Sequence, residues 1–77
     1  MSRLGEVLHL SDQNLVVKAE QVPEIGTSIR IESEKTTFSG EVVDIFGPKE
    51  QPYVAVKLSQ ELDNPTTLIG LEVLLED

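Results

Sequence analysis

The sequence predicts an all-β fold, a small antiparallel barrel of six strands that is closed or nearly so. Three observations carry that expectation. Nine Val and five Ile stand among 77 residues, and β-branched side chains suit a pleated surface better than a helix. Apolar positions recur every second residue in short runs separated by Gly, Pro, Asn and Asp, and no helical period is long enough to compete. Six strands in so short a chain would leave edges open to other molecules, and closing the sheet removes those edges.

The elements follow in order. Arg3 to Leu10 reads as the first strand, with Leu4, Leu8 and Leu10 on one face, ended by the polar cluster Ser11-Asp-Gln-Asn14. Asn14 to Ala19 is its returning partner. Gln21-Val-Pro-Glu-Ile-Gly26 breaks the pattern, because Pro23 cannot donate to a central ladder, and it reads as a crossing loop. Thr27 to Ile31 places Ile29 and Ile31 two apart, and after the turn Glu32-Ser-Glu-Lys35 a long strand runs from Thr36 to Phe46. Gly40 lies inside that strand, where a glycine marks a bulge, a close backbone approach or a simple bend that helps close the sheet. Tyr53 to Leu58 resumes the alternation, with Val54, Val56 and Leu58 opposed to Tyr53, Ala55 and Lys57. Asp63-Asn64-Pro65 predicts an irregular connection or a single helical turn. Gly70 to Leu75 supplies the last strand, with Leu71, Val73 and Leu75 in phase.

Bulk properties bound the rest. The chain has room for one domain over residues 1–77, a size at which folding buries only about 60 percent of the unfolded surface. Val, Ile, Leu and Phe supply 26 of its residues, too many for a disordered composition. Cysteine is absent, so neither disulfides nor thiolate metal sites support the core, and packing or a partner must do so. Met1 to Leu8 carries one Arg and no long apolar run, unlike a secretory signal, and no stretch has the length of a membrane span. A soluble cytoplasmic protein, monomeric when free, is the expectation. Fourteen acidic against six basic side chains give a net charge of -8, the wrong sign for gripping a phosphate backbone by counterion release.

Chemistry is sparse. Acid-base or nucleophilic catalysis needs side chains that activate one another, and His9 is the single histidine, out of phase with Leu8 and Leu10 and so expected on the outer face. No spacing of ligands suits zinc or calcium, and the five dispersed glycines form no phosphate loop. Neither enzyme activity nor a metal or other cofactor is expected. Asp44 stands alone among apolar neighbours, which suggests a hydrogen bond to the following turn rather than catalysis. Three aromatic residues, Phe38, Phe46 and Tyr53, make too small a platform for stacking single-stranded RNA without a basic groove.

What remains is Gly40-Glu-Val-Val-Asp-Ile-Phe-Gly-Pro48, followed after Lys49-Glu-Gln51 by Pro52-Tyr-Val-Ala-Val-Lys57. Two prolines and a glycine stiffen the turn between two strands, and Ile45, Phe46, Tyr53 and Val54 flank it. Rigid apolar groups beside a preformed turn lose little entropy when a partner captures them. A plug for the barrel end is the competing role for Phe46 and Tyr53, and composition leaves the two readings even.

This segment resembles the GAR family, the small barrel subunit of H/ACA RNA-guided pseudouridylation particles. The family pattern is carried here by Gly40, Val42, Asp44, Ile45, Phe46, Gly47, Pro48, Pro52, Tyr53, Val54, Val56 and Lys57. Arg3-Leu-Gly-Glu-Val-Leu-His9, Asn14-Leu-Val-Val17 and the strand after Gly70 are also similar, so nearly the whole chain is covered. The resemblance implies a barrel of the translation-protein/reductase-elongation-factor type. It also implies a non-catalytic subunit that binds the catalytic domain of a dyskerin-type pseudouridine synthase, away from the guide RNA, and assists substrate RNA loading and release during rRNA pseudouridylation. Contact with the guide RNA particle is then indirect. The protein-binding residues it implies are Gly40, Val42, Asp44, Ile45, Phe46, Gly47, Pro48, Pro52, Tyr53 and Val54. Two features depart from the pattern. Lys49 and Glu50 stand where the family is commonly apolar, which moves the expected contact to the stems of the turn. Arg-Gly-Gly tails are missing from both ends, as in the minimal archaeal form. The alternative is an independent RNA-binding barrel of a translation or ribosome-maturation factor, which would require Arg3, Lys18, Arg30, Lys35, Lys49 and Lys57 to converge.

Overall fold

The computed structural model of the protein describes residues 2–11, 14–34, 36–60 and 65–76. Six strands form: β1 (Ser2–Ser11), β2 (Asn14–Ala19), β3 (Ser28–Glu32), β4 (Thr37–Phe46), β5 (Tyr53–Leu58) and β6 (Glu72–Leu75). They close into a barrel in the order β1-β2-β5-β4-β3-β6, with every neighbouring pair antiparallel. The all-β barrel expected from the alternation is therefore the observed fold. Because directions alternate around the barrel, β2, β4 and β6 end where β1, β3 and β5 begin. That end carries the β4–β5 turn and the loop of residues 20–27, which passes from β2 to a strand that is not its neighbour, as the proline-broken segment predicted.

Inward positions carry the alternating apolar residues. Leu4, Val17, Ile29, Ile31, Val54, Val56 and Val73 are all sealed from solvent, and burying each such side chain contributes about 1.5 to 3 kcal/mol. Phe38, Leu10, Leu58 and Leu71 pack against this cluster while partly exposed. At the opposite end a 3₁₀ turn, Pro65–Leu68, inserts Leu68 into the same core. Asp63 and Asn64 of the irregular connection lie outside the described residues, as do Asp12, Gln13 and Lys35 of the predicted turns.

Strict alternation fails at three places. In β1 the register shifts between Arg3 and Gly5 and again between Val7 and His9, so Val7 turns inward and Leu8, expected inside with Leu4 and Leu10, is 41% exposed. The extra residue of a bulge moves the following side chains to the other face. In β4 a third shift falls between Val42 and Asp44, after which Ile45 rather than Asp44 packs against the core. Gly40 is a point of close approach: a Cβ there would stand 2.5 Å from the Lys57 carbonyl oxygen. Gly5 plays the same part in β1, where a Cβ would meet the Lys18 carbonyl oxygen at 2.0 Å.

Candidate protein-docking site

The β4–β5 hairpin brings part of the predicted set together. Phe46 and Tyr53 face each other as the last cross-strand pair, and their rings stack with centroids 5.8 Å apart and planes inclined by 29°. They lie on the outer face because the neighbouring positions, Ile45 and Val54, turn inward. Phe46 is 45% exposed and Tyr53 half-buried, so the pair caps the outside of the hairpin and does not fill the barrel. Gly47 adopts a positive φ of 93°. A Cβ at that residue would reach within 2.6 Å of the Tyr53 ring, so the glycine allows the ring to lie against the turn.

The turn is rigid for identifiable reasons. The Gln51 amide N–H donates to the Pro48 carbonyl at 3.1 Å, closing a β-turn. The Gln51 side chain folds back, its Nε2 donating to the carbonyl oxygens of Ala19 at 3.0 Å and Pro52 at 3.3 Å. Of the charged loop, Lys49 and Glu50 form the exposed tip while Gln51 is a clamp, and Pro52 is buried beneath it. Asp44 is exposed, and its Oδ1 accepts from the Ile45 backbone N–H at 2.9 Å. The carboxylate is used locally, but its partner is the next residue of β4 and not the turn that follows the strand.

Other predicted contact residues point elsewhere. Val42 and Val54 are fully enclosed in the core, and Gly40 is buried along β4 beyond Val42. Their place in the pattern is explained by packing, since the inward phase of each strand selects them, and they offer no surface to a partner. The outward set reduces to Phe46, Tyr53, Gly47 and Pro48, with Asp44 at its edge. Two residues absent from the predicted set stand at the same end of the barrel: Val22 and Ile25, each 66% exposed on the crossing loop. The signal was present in the sequence as two apolar residues flanking Pro23 in an otherwise polar segment, where burial could have explained them equally well.

Among the described residues the cations do not form a groove. Arg3 lies 3.5 Å from Glu20 and 3.8 Å from Glu72, Arg30 lies 3.9 Å from Glu32, and Lys57 stands opposite Glu41 in the strand register. Lys35 lies outside the described residues. A depression of about 220 Å³ is lined by Arg3, Glu6, Lys18, Ala19, Glu20 and Gln51, a balanced mixture of charges. His9 is exposed, and among the described residues no three metal-ligating side chains come together. Among the same residues no helix is long and apolar enough to cross a membrane.

Comparison with known proteins adds two findings. The sequence model of a family described as "Gar1/Naf1 RNA binding region" matches residues 1–75. An uncharacterized protein of Methanothermobacter thermautotrophicus is 28% identical over 64 residues, which span 82% of this chain and 67% of that protein.

Proposed function

Since the chain belongs to the Gar1/Naf1 family, a family of accessory H/ACA ribonucleoprotein components, we propose that it is a non-catalytic subunit that docks on the catalytic domain of a dyskerin-type pseudouridine synthase. The observation that carries this reading is the exposed Phe46–Tyr53 stack on a hairpin already fixed by Gln51. An aromatic pair of this kind supplies a large contact area at low entropic cost. The chain's net charge of -8 favours a basic protein surface over nucleic acid. Bound there, the subunit assists substrate loading and product release during rRNA pseudouridylation by favouring one of two arrangements of a mobile synthase loop. It can do so only to the extent that its affinity for the two arrangements differs. The site of action is the cytoplasm, and the free subunit is a monomer.

The test is binding to the synthase without RNA. Phe46→Ala and Tyr53→Ala should each weaken the complex by about 2 kcal/mol, roughly thirtyfold in Kd, while the isolated barrel melts nearly as before. A lower melting temperature with unchanged affinity per folded molecule would assign both rings to stability alone. The family's description as an RNA binding region favours a second reading, direct contact with RNA. Titration of the free protein with guide RNA at low and high salt separates the two, because RNA gripped by cations is released steeply as salt rises.

A further inference from the structure

The crossing loop is hydrogen-bonded to the β4–β5 hairpin at both of its ends. Where the loop leaves β2, the Ala19 N–H donates to the Pro52 carbonyl at 3.1 Å and the Gln51 amide donates to the Ala19 carbonyl. Where it enters β3, the Gly26 N–H donates to the Val42 carbonyl at 2.8 Å and the Val42 N–H to the Thr27 carbonyl at 2.9 Å. Between these anchors Pro23 is buried. A further bond from the Thr27 N–H to the Glu24 carbonyl, at 3.1 Å, closes a turn with Gly26 at a φ of 94°. This is the pattern of a type II turn, with Gly26 at its third position and Ile25 at the outer corner.

A turn corner gains nothing from isoleucine. Proline is favoured there and polar residues suit its exposure, yet Val22 and Ile25 project two large apolar side chains into solvent. Of the five large hydrophobic residues exposed among the described ones, three, Val22, Ile25 and Phe46, gather at this end. Exposed carboxylates accompany them, Glu20 and Glu24 on the loop, Asp44 on β4 and Glu50 on the turn, against the cations Lys18, Lys49 and Arg3, the last 3.5 Å from Glu20.

We infer that Val22 and Ile25 form the second half of the docking surface. The partner then covers the end of the barrel, crossing loop and hairpin together, with an apolar seat ringed by Lys and Arg. This rests on the docking reading above and extends it to residues outside the hairpin. Charge selects the occupant. A second copy of this chain would set the same carboxylates against one another, and an RNA would set phosphates against them. A loop anchored at both ends and pinned by a buried proline is already ordered before contact, so its apolar corners are captured without a folding cost.

The experiment uses the full chain and a dyskerin-type synthase without RNA, with V22S/I25S, E24K and F46A measured beside the unaltered protein by calorimetry. V22S/I25S should melt as the unaltered protein does, since both side chains are outside the core, and bind the synthase about tenfold more weakly or worse. E24K should slow association, more so at low salt. If V22S/I25S binds normally while F46A is weakened, the loop lies outside the interface and this inference falls while the hairpin reading stands. If neither variant loses affinity, both fall. Self-association of the unaltered chain that V22S/I25S abolishes, or RNA binding that V22S/I25S abolishes, would overturn the assignment of the occupant.

Discussion

Gly5 and Gly40 show what single residues decide in so small a barrel. Each sits where a neighbouring strand crosses so closely that a methyl group would strike a backbone carbonyl, and backbone atoms yield less readily than a side-chain tip. Gly5→Ala should therefore cost about 1 to 3 kcal/mol, lowering the melting temperature by roughly 4 to 8 °C per kcal/mol in a domain of this size. Thermal denaturation followed by circular dichroism checks this, and an unchanged midpoint would show that the approach relaxes freely. Asp44 illustrates the opposite case. A lone carboxylate in an apolar stretch invites a catalytic reading, yet its hydrogen bond to the Ile45 N–H gives it a local use that requires no substrate.

Among the elements, the β4–β5 hairpin has one side chain that adds to its backbone anchors. Gln51 reaches two carbonyls and joins the turn to the start of the crossing loop. Gln51→Ala should cost about 1 kcal/mol in stability and raise amide exchange at residues 19–27 and 47–52 together, because both segments share the clamp. Exchange confined to the turn alone would mean the loop is held independently. The strands themselves were legible in the sequence, since Val54, Val56, Ile29 and Ile31 follow an unbroken alternation that fixes the buried face. The register shifts at Arg3/Gly5, Val7/His9 and Val42/Asp44 were not, because each only changes one apolar spacing from two to three, and neighbouring apolar residues such as Leu8 and Val43 hide the change of phase. Leu8 consequently faces solvent against expectation. The same limit blurred the site. Phe46 and Tyr53 were recognisable as a flanking pair, but Val54 flanks the turn equally and Val42 shares the family pattern with them, and neither criterion tells inside from outside. Val22 and Ile25 reach the hairpin's end of the barrel through the pairing of β2 with β5 and of β3 with β4.

Over the whole molecule, shape and charge divide the labour. The described interior is apolar. The chain's net charge of -8 sets the long-range field, and three of the exposed hydrophobic side chains cluster at one end. A field of that sign accelerates encounter with a basic partner, so association with the synthase should slow as ionic strength rises while dissociation changes little. The central claim is that this end of the barrel binds protein, and it is tested most directly by mixing the chain with an H/ACA-type pseudouridine synthase in the absence of RNA. Comigration of the two on gel filtration, lost in the F46A variant, is the predicted result. Separate elution of the two proteins, or comigration only when guide RNA bridges them, would contradict it.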